Sequence, residues 1–214
     1  MIRPRFLLIE VPMSSVRTLT LADVAIPRTT FLRDAALVLG AGLVTALAAR
    51  IAVPVPWSPV PLTGQTFAVL LSGAALGARR AFLAQLLYLL EGASGLPVFA
   101  GGTGGLAVFA GPSAGYLVSF PLAAAATGAL AERGWDRRFV TTLLAMLAGS
   151  AVILVPGAVV LSRFVSGGRL FTAGVLAFVP GDVIKAIAAA LLLPAAWRFS
   201  NGRGERAGRI GPRA

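Results

Sequence analysis

The apolar residues of this chain fall into long runs, separated by short groups of charged, proline or glycine residues. The runs cover residues 31–53, 65–78, 81–96, 116–131, 139–161 and 171–199. A helix needs about 20 largely apolar residues to cross the hydrocarbon core of a membrane. The pattern therefore predicts an all-α integral membrane protein with six transmembrane helices, and it leaves no room for a separate soluble catalytic domain.

Two kinds of unusual backbone lie between these runs. Four prolines between Pro54 and Pro61 exclude a helix and predict a stiff, extended loop. Two glycine-rich loops follow at 100–105 and 111–115. Irregular backbone at membrane depth is tolerated where it lines a cavity, so we expect a pocket that is roofed by these loops and opens to the outside.

The short helix between the proline loop and the next charged residues has its own boundary signals. Thr63 is the predicted N-cap of this second helix, because a threonine side chain accepts a hydrogen bond from an N–H group of the first turn. The pair Arg79–Arg80 marks the predicted turn to the third helix.

Composition supports the membrane interpretation. Hydrophobic residues make up 57% of the chain and charged residues 13%, whereas about a quarter of the residues in a soluble protein are charged. The mean hydropathy is +0.85. Cysteine and histidine are both absent, which excludes thiolate nucleophiles, histidine-based triads and the usual zinc sites. We expect no metal and no cofactor.

The net charge of +11 has two interpretations, a nucleic-acid surface or the positive-inside rule. With alternating crossings, fifteen arginines fall on the side of the N-terminus, and only Arg50, Arg163 and Arg169 fall on the other. This bias predicts cytoplasmic termini and a lipid environment, with no nucleic-acid partner. The predicted organisation is a partly disordered cytoplasmic tail (1–30), a six-helix membrane domain (31–199) and a basic cytoplasmic tail (200–214).

Lys185 is the only lysine, and Asp182 lies three residues before it. The preceding Pro180–Gly181 is expected to break the sixth helix and restart it, with Asp182 near the positive end of the helix dipole. The helix from Lys185 to Arg198 spans roughly 20 Å, which places Lys185 in the outer half of the membrane. Ionisable residues at such depth are costly and mark functional sites.

Two roles stay open for this pair. It is either a structural ion pair or part of a ligand site. In a ligand site, Lys185 either pairs with a ligand carboxylate or positions Asp182, whose oxygens accept hydrogen bonds from ligand N–H groups.

Other residues offer weaker signals. Thr103 and the N–H groups of its glycine loop can supply polar contacts, and the alternative is a plain flexible connection. Gln65 is polar in apolar surroundings, and Tyr116 is one of several aromatic residues able to wall an apolar pocket. The chain has no Gly-x-x-x-x-Gly-Lys-Ser/Thr phosphate loop, so active transport needs a partner or an ion gradient.

Four stretches, in their order and spacing, resemble the BioY family, the biotin-specific substrate-capture (S) components of energy-coupling factor (ECF) transporters. These stretches are 54–71, 95–105, 111–116 and 180–186, and the resemblance covers 31–199. It implies a multi-pass bundle in a prokaryotic plasma membrane, a biotin pocket near the outer face, and no enzymatic activity. It also implies a transmembrane coupling subunit, two cytoplasmic ATPases, and uptake by toppling of the loaded subunit.

The resemblance also implies that Thr103, Leu117, Asp182 and Lys185 are binding positions. Together with the polar, glycine and aromatic residues noted above, the candidate binding residues are Asp182, Lys185, Thr103, Gly102, Gly104, Tyr116, Leu117 and Gln65. The family often has asparagine in place of Thr103 and glycine in place of Ala114, and some members have arginine in place of Leu117. The alternatives are an S component for another vitamin, a small membrane enzyme that uses Asp182 and Lys185 as acid and base, and a scaffold protein.

Overall fold

The computed structural model describes residues 19–26 and 30–209, with 201–209 described by their backbone alone. Most of the predicted N-terminal tail and residues 210–214 of the predicted C-terminal tail therefore lie outside the described residues. The described part is mostly helical. Its α-helices are α1 (Leu21–Ala25), α2 (Phe31–Ala48), α3 (Gln65–Leu76), α4 (Ala78–Ala93), α5 (Ala114–Val118), α6 (Phe120–Ala131), α7 (Phe139–Leu161), α8 (Gly167–Phe171) and α9 (Val179–Arg209).

Three helical stretches within the described residues are long and apolar enough to cross a membrane: Phe31–Ala48, Phe139–Leu161 and Gly167–Ser200. Large apolar side chains cover their outer faces; Leu43 on α2, for example, is 60% exposed and Val155 on α7 is 64% exposed. Apolar surface of this extent suits lipid and not water. The protein is therefore an integral membrane protein.

The first helix ends at Ala48, earlier than predicted. Strand β1 (Ala52–Val55) follows and pairs antiparallel with β2 (Ser58–Thr63), so the fold is not purely α-helical. The register is irregular between Val53 and Val55, where Pro54 has no N–H group to donate. The predicted extended backbone is confirmed, whereas the pairing of two strands was not predicted.

The turn between α3 and α4 lies at Gly77, so its predicted position at Arg79–Arg80 was wrong. Gly77 has a φ of 83°, a left-handed conformation that favours glycine. The next residue, Ala78, donates its N–H to Oε1 of Glu132 at 2.9 Å, which caps α4 from a neighbouring segment. The prediction of Thr63 as the N-cap of α3 was also wrong, because Gly64 occupies that position.

The fourth and sixth predicted helices are both divided. A break at Ser119 separates α5 from α6. In the sixth predicted helix, α8 is followed by one π-helical turn (Thr172–Leu176). The α-helix restarts as α9 at Val179, with Asp182 in its first turn. The predicted restart is thus confirmed, although the departure from α-helical geometry begins before Pro180. α9 continues to Arg209, through much of the region predicted as a basic tail.

Glycine allows helices to approach closely in the centre of the bundle. A Cβ atom on Gly73 of α3 would lie 2.5 Å from the carbonyl oxygen of Ala124 on α6. Small residues at helix crossings serve this purpose in membrane proteins. The buried core of the bundle includes Tyr88, Met146 and Ile153.

Four charged residues, Asp23, Arg33, Asp34 and Arg80, connect α1 to α2 and α4, and we call them the α1 cluster. Asp23 is 2.7 Å from Nη1 of Arg80 and 3.3 Å from Nη2 of Arg33, and Asp34 is 3.0 Å from Nε of Arg80. Burial alone would raise the pKa of Asp23, but hydrogen bonds from Arg80 and Thr20 lower it below its ordinary value. Part of the region predicted as a tail is therefore held against the bundle.

Candidate ligand-binding pocket

A cavity of about 250 Å³ lies among the β-hairpin, the glycine-rich segment (residues 95–113) and helices α3, α5, α6, α7 and α9. Its wall is mostly apolar and aromatic, and it contains one acidic and one basic side chain of the described residues. The lining residues are Val60, Pro61, Thr63, Gln65, Thr66, Phe99, Ala100, Thr103, Val108, Ser113, Tyr116, Leu117, Phe120, Ile153, Leu154, Phe178, Asp182 and Lys185.

Asp182 and Lys185 lie on adjacent positions of the α9 surface, because residues three apart share a helix face. Nζ of Lys185 is 3.4 Å from Oδ1 of Asp182. The Asp182 side chain is 7% exposed and that of Lys185 is 23% exposed. The structure thus brings the two charged candidates together at the cavity wall.

Hydroxyl groups from two other helices hold this pair. Ser150 on α7 donates to Oδ2 of Asp182 at 2.8 Å, and Lys185 donates to Oγ1 of Thr66 on α3 at 2.7 Å. We call Thr66, Ser150, Asp182 and Lys185 the pocket cluster. It connects α3, α7 and α9, so the positions of both charges depend on how these helices pack.

The pocket cluster keeps hydrogen-bonding capacity for a ligand. An ammonium group has three donors, of which Lys185 uses two in its described contacts. A carboxylate has about four acceptor positions, and Asp182 receives one bond from Ser150 and one from Lys185. The arrangement can therefore donate to a ligand carbonyl and accept from ligand N–H groups at the same place.

Aromatic rings form the apolar part of the wall. The Tyr116 ring packs against Phe178 with a centroid separation of 5.3 Å, and its hydroxyl donates to the carbonyl oxygen of Gly174 at 2.8 Å. That carbonyl belongs to the π-helical turn. Tyr116 thus presents its ring to the cavity and uses its hydroxyl within the fold, while the buried Leu117 adds an aliphatic surface beside it.

Gln65 lies on the cavity wall at the start of α3, where it takes part in a buried chain of hydrogen bonds. Its Nε2 donates to the hydroxyl of Tyr88, and that hydroxyl donates to the carbonyl oxygen of Val98 at 2.9 Å. This chain fixes the glycine-rich segment onto α3 and α4. Gln65 has a structural role in addition to its place in the lining.

Two residues of the glycine loop at 100–105, Ala100 and Thr103, line the cavity. The hydroxyl of Thr103 donates to the carbonyl oxygen of Ala100 at 3.0 Å. Gly102 and Gly104, which we expected to bind ligand, lie outside the lining residues. Gly102 has a φ of 72°, and a Cβ atom on Gly104 would lie 2.2 Å from the carbonyl oxygen of Leu96. These glycines shape the loop because larger residues would not fit.

Sequence reasoning missed Thr66 and Ser150. Ser150 is a polar residue within the long apolar run of α7, which is a signal for a functional or packing role in a membrane. Thr66 follows Gln65 inside one of the stretches that carry the family resemblance. Neither signal indicates which charged residue each hydroxyl contacts, because the partners are 119 and 32 residues away.

Comparison with known families and sequences gives consistent results. The model of the BioY family matches residues 15–202. A probable biotin transporter BioY of Pyrococcus horikoshii is 39% identical over 148 residues, which cover 69% of this chain and 86% of that protein. Biotin transporters BioY of Rhizobium etli and Thermotoga maritima are each 41% identical, covering 71% of this chain and 86% and 90% of those proteins.

A solved structure has a similar fold. The chain resembles the S-component for biotin from an ECF-type ABC transporter with a TM-score of 0.68 and 26% sequence identity. The similarity covers 80% of this chain and 95% of that one.

Proposed function

The chain belongs to the BioY family, and on that premise we propose that it is the biotin-capturing membrane subunit (S component) of an energy-coupling factor importer. The observation that carries the proposal is the pocket cluster at the wall of a cavity that is otherwise mostly apolar. This wall matches a ligand with one compact polar group and a larger apolar body.

The ureido ring of biotin fits the pocket cluster chemically. It has two N–H donors and one carbonyl acceptor, and the ring is uncharged. Asp182 accepts from a ureido N–H, and the remaining donor of Lys185 reaches the ureido carbonyl. Because Asp182 and Lys185 neutralise each other, a neutral polar ring enters without adding charge to a buried site. Ser150 and Thr66 hold the two charged groups in place during exchange of the ligand.

The bicyclic body and the aliphatic chain of biotin match the rest of the wall. Phe99, Phe120 and Phe178 are buried aromatic residues on the cavity surface, and Ile153 and Leu117 add aliphatic contacts. Burial of apolar ligand surface contributes about 25 cal/mol per Å². The apolar wall therefore supplies affinity, while the pocket cluster selects the ring chemistry.

Six crossings with both termini in the cytoplasm are part of the proposal. The arginine distribution supports this topology, as do the three long apolar helices and the shorter apolar helices α3 and α6. The chain has no cysteine, so single-cysteine labelling in intact cells tests it directly. Ser166→Cys should react with a membrane-impermeant maleimide, and Arg133→Cys should react only after permeabilisation. The reverse pattern would contradict the orientation.

We further propose that the protein works in the plasma membrane with a transmembrane coupling subunit and two cytoplasmic ATPases. The similar solved structure is the S-component for biotin from an ECF-type ABC transporter, and this similarity supports the partnership. In this role the subunit binds biotin without converting it, and it needs no cofactor or metal. Co-purification from the native membrane tests the partners, and recovery of unchanged biotin after prolonged incubation tests the absence of turnover.

A ligand panel tests the vitamin assignment. We expect biotin to raise the melting temperature of the detergent-purified protein, and thiamin and riboflavin to leave it unchanged. Stabilisation by another vitamin and not by biotin would show that the protein is an S component of different specificity.

A further inference from the structure

The proposed ligand has a carboxylate, and the pocket cluster does not neutralise its negative charge. Among the described residues that line the cavity, Asp182 is the one acidic residue and Lys185 the one basic residue, and as an ion pair their charges cancel. Biotin ends in a carboxylate on its aliphatic chain, so the occupied pocket has a negative charge in surroundings of low dielectric constant. A further cation close to the wall would stabilise this charge.

Arg50 follows α2 at the entrance to the β-hairpin and lies against the glycine-rich segment. Its Nη2 donates to the carbonyl oxygen of Pro97 at 2.7 Å. Its Nη1 lies close to Gly102, since a Cβ atom at that position would be 2.9 Å away. The guanidinium group thus contacts the segment 97–102 at both ends, and Phe99 and Ala100 of this segment line the cavity.

The Arg50 guanidinium still has capacity for an anion. It has five N–H donors, and its described contacts use one. No carboxylate of the described residues forms an ion pair with it. Arg50 is exposed, so an anion in solution can reach its guanidinium group. The glycine at 102 leaves the space that the guanidinium occupies.

We propose that Arg50 is a specificity-determining residue that attracts the carboxylate of the ligand and favours anionic over neutral forms of it. This inference rests on the proposed function, and it adds a second recognition element to the pocket cluster. An exposed charge beside a binding site acts mainly on the association rate and on its salt dependence.

The test compares biotin with biotinamide, which has the same ring and chain but a neutral end. Association rates are measured by stopped-flow at low and at physiological ionic strength. The variants are Arg50→Gln, the charge-conserving Arg50→Lys, and Arg163→Gln as a matched control at another exposed arginine on the same proposed side of the membrane. We expect Arg50→Gln to slow association of biotin by roughly three- to tenfold and to remove most of its salt dependence.

Biotinamide association should change by less than about twofold in Arg50→Gln, and Arg50→Lys should retain most of the rate for biotin. Equal losses for both ligands would overturn the proposal, because they would show that Arg50 only anchors the loop. Unchanged rates for both ligands, or an equal effect of Arg163→Gln, would also overturn it. Wild-type protein that binds neither ligand would overturn the biotin assignment and this inference with it.

Discussion

Two groups of charged side chains lie in this largely apolar protein, and they use their charges differently. In the α1 cluster, two carboxylates and two guanidinium groups pair with one another across α1, α2 and α4. In the pocket cluster, one carboxylate and one ammonium group form a pair, and a hydroxyl group from another helix holds each of them. The α1 cluster joins α1 to α2 and α4, whereas the pocket cluster keeps donors and acceptors for a ligand.

The larger of the two cavities is not the candidate ligand site. The cavity beside the α1 cluster, at about 570 Å³, is larger than the pocket at about 250 Å³. Its polar lining, however, includes three carboxylates and two guanidinium groups, most of which bond to one another or to the backbone. The smaller cavity combines aromatic walls with a charged pair, Asp182 and Lys185, that keeps hydrogen-bond donors and acceptors for a ligand. Available hydrogen-bonding capacity therefore identifies the ligand site better than cavity volume does.

The largest effect should come from Lys185→Ala. We expect biotin affinity to fall by about 100-fold, because the variant loses a charged donor and leaves Asp182 without its partner. The control is Ile184→Ala, which alters a 68% exposed residue on the same helix. Affinity is measured by calorimetric titration, and melting curves establish that each variant is folded. Affinity within threefold of wild type in Lys185→Ala would contradict the role of the pocket cluster.

Asp23→Asn should lower the stability of the protein and leave its biotin affinity nearly unchanged. We expect the free energy of unfolding to fall by about 1–2 kcal/mol, a value reduced because Asp23 is partly exposed to solvent. Biotin affinity should stay within about twofold of wild type. Denaturation is followed in detergent, with Arg79→Gln as the control, since Arg79 forms no ion pair among the described residues. A large loss of affinity with unchanged stability would reverse the assignment of the two clusters.

Ser150→Ala and Thr66→Val should each weaken biotin binding by roughly three- to tenfold, which corresponds to the loss of one hydrogen bond that positions a charged group. The conservative variants Ser150→Thr and Thr66→Ser retain the hydroxyl and should recover most of the affinity. If the conservative variants bind no better than the truncated ones, the hydroxyl groups do not position the charged pair.

The smallest effect concerns pH and the α1 cluster. The pKa of Asp23 in the folded state is lowered from its ordinary value of 3.8. A lowered pKa means that its stabilising contribution is complete above the unfolded-state pKa and is lost as the pH falls through the folded-state pKa. The stability difference between wild type and Asp23→Asn should therefore be constant near neutral pH and shrink below about pH 4. A difference that grows on acidification would contradict this account.

Parts of the fold follow directly from the sequence. The bounds of α7 agree with its apolar run, because charged and polar residues limit the run at both ends. The hairpin was not predicted, since proline signals extended backbone but argues against the hydrogen bonds of a sheet. The turn at Gly77 was misplaced because two adjacent arginines are a strong polar signal, whereas the conformation of a glycine is not visible in the sequence.

The pocket was predictable only in part. Asp182 and Lys185 stand out because they are ionisable residues within an apolar run and lie on one helix face. Their contacts with Ser150 and Thr66 join distant positions of the chain, and no local spacing indicates them. Gly102 and Gly104 belong to a loop that carries the family resemblance, and yet they shape its backbone without lining the cavity.

Calorimetric titration of biotin into detergent-purified wild-type protein, beside Lys185→Ala and Asp182→Asn, tests whether the pocket cluster binds biotin. We expect saturable binding without ATP in the wild type, and loss of binding in variants that melting curves show to be folded. The contradicting result is wild-type protein that is folded and yet gives neither binding heat nor thermal stabilisation with biotin.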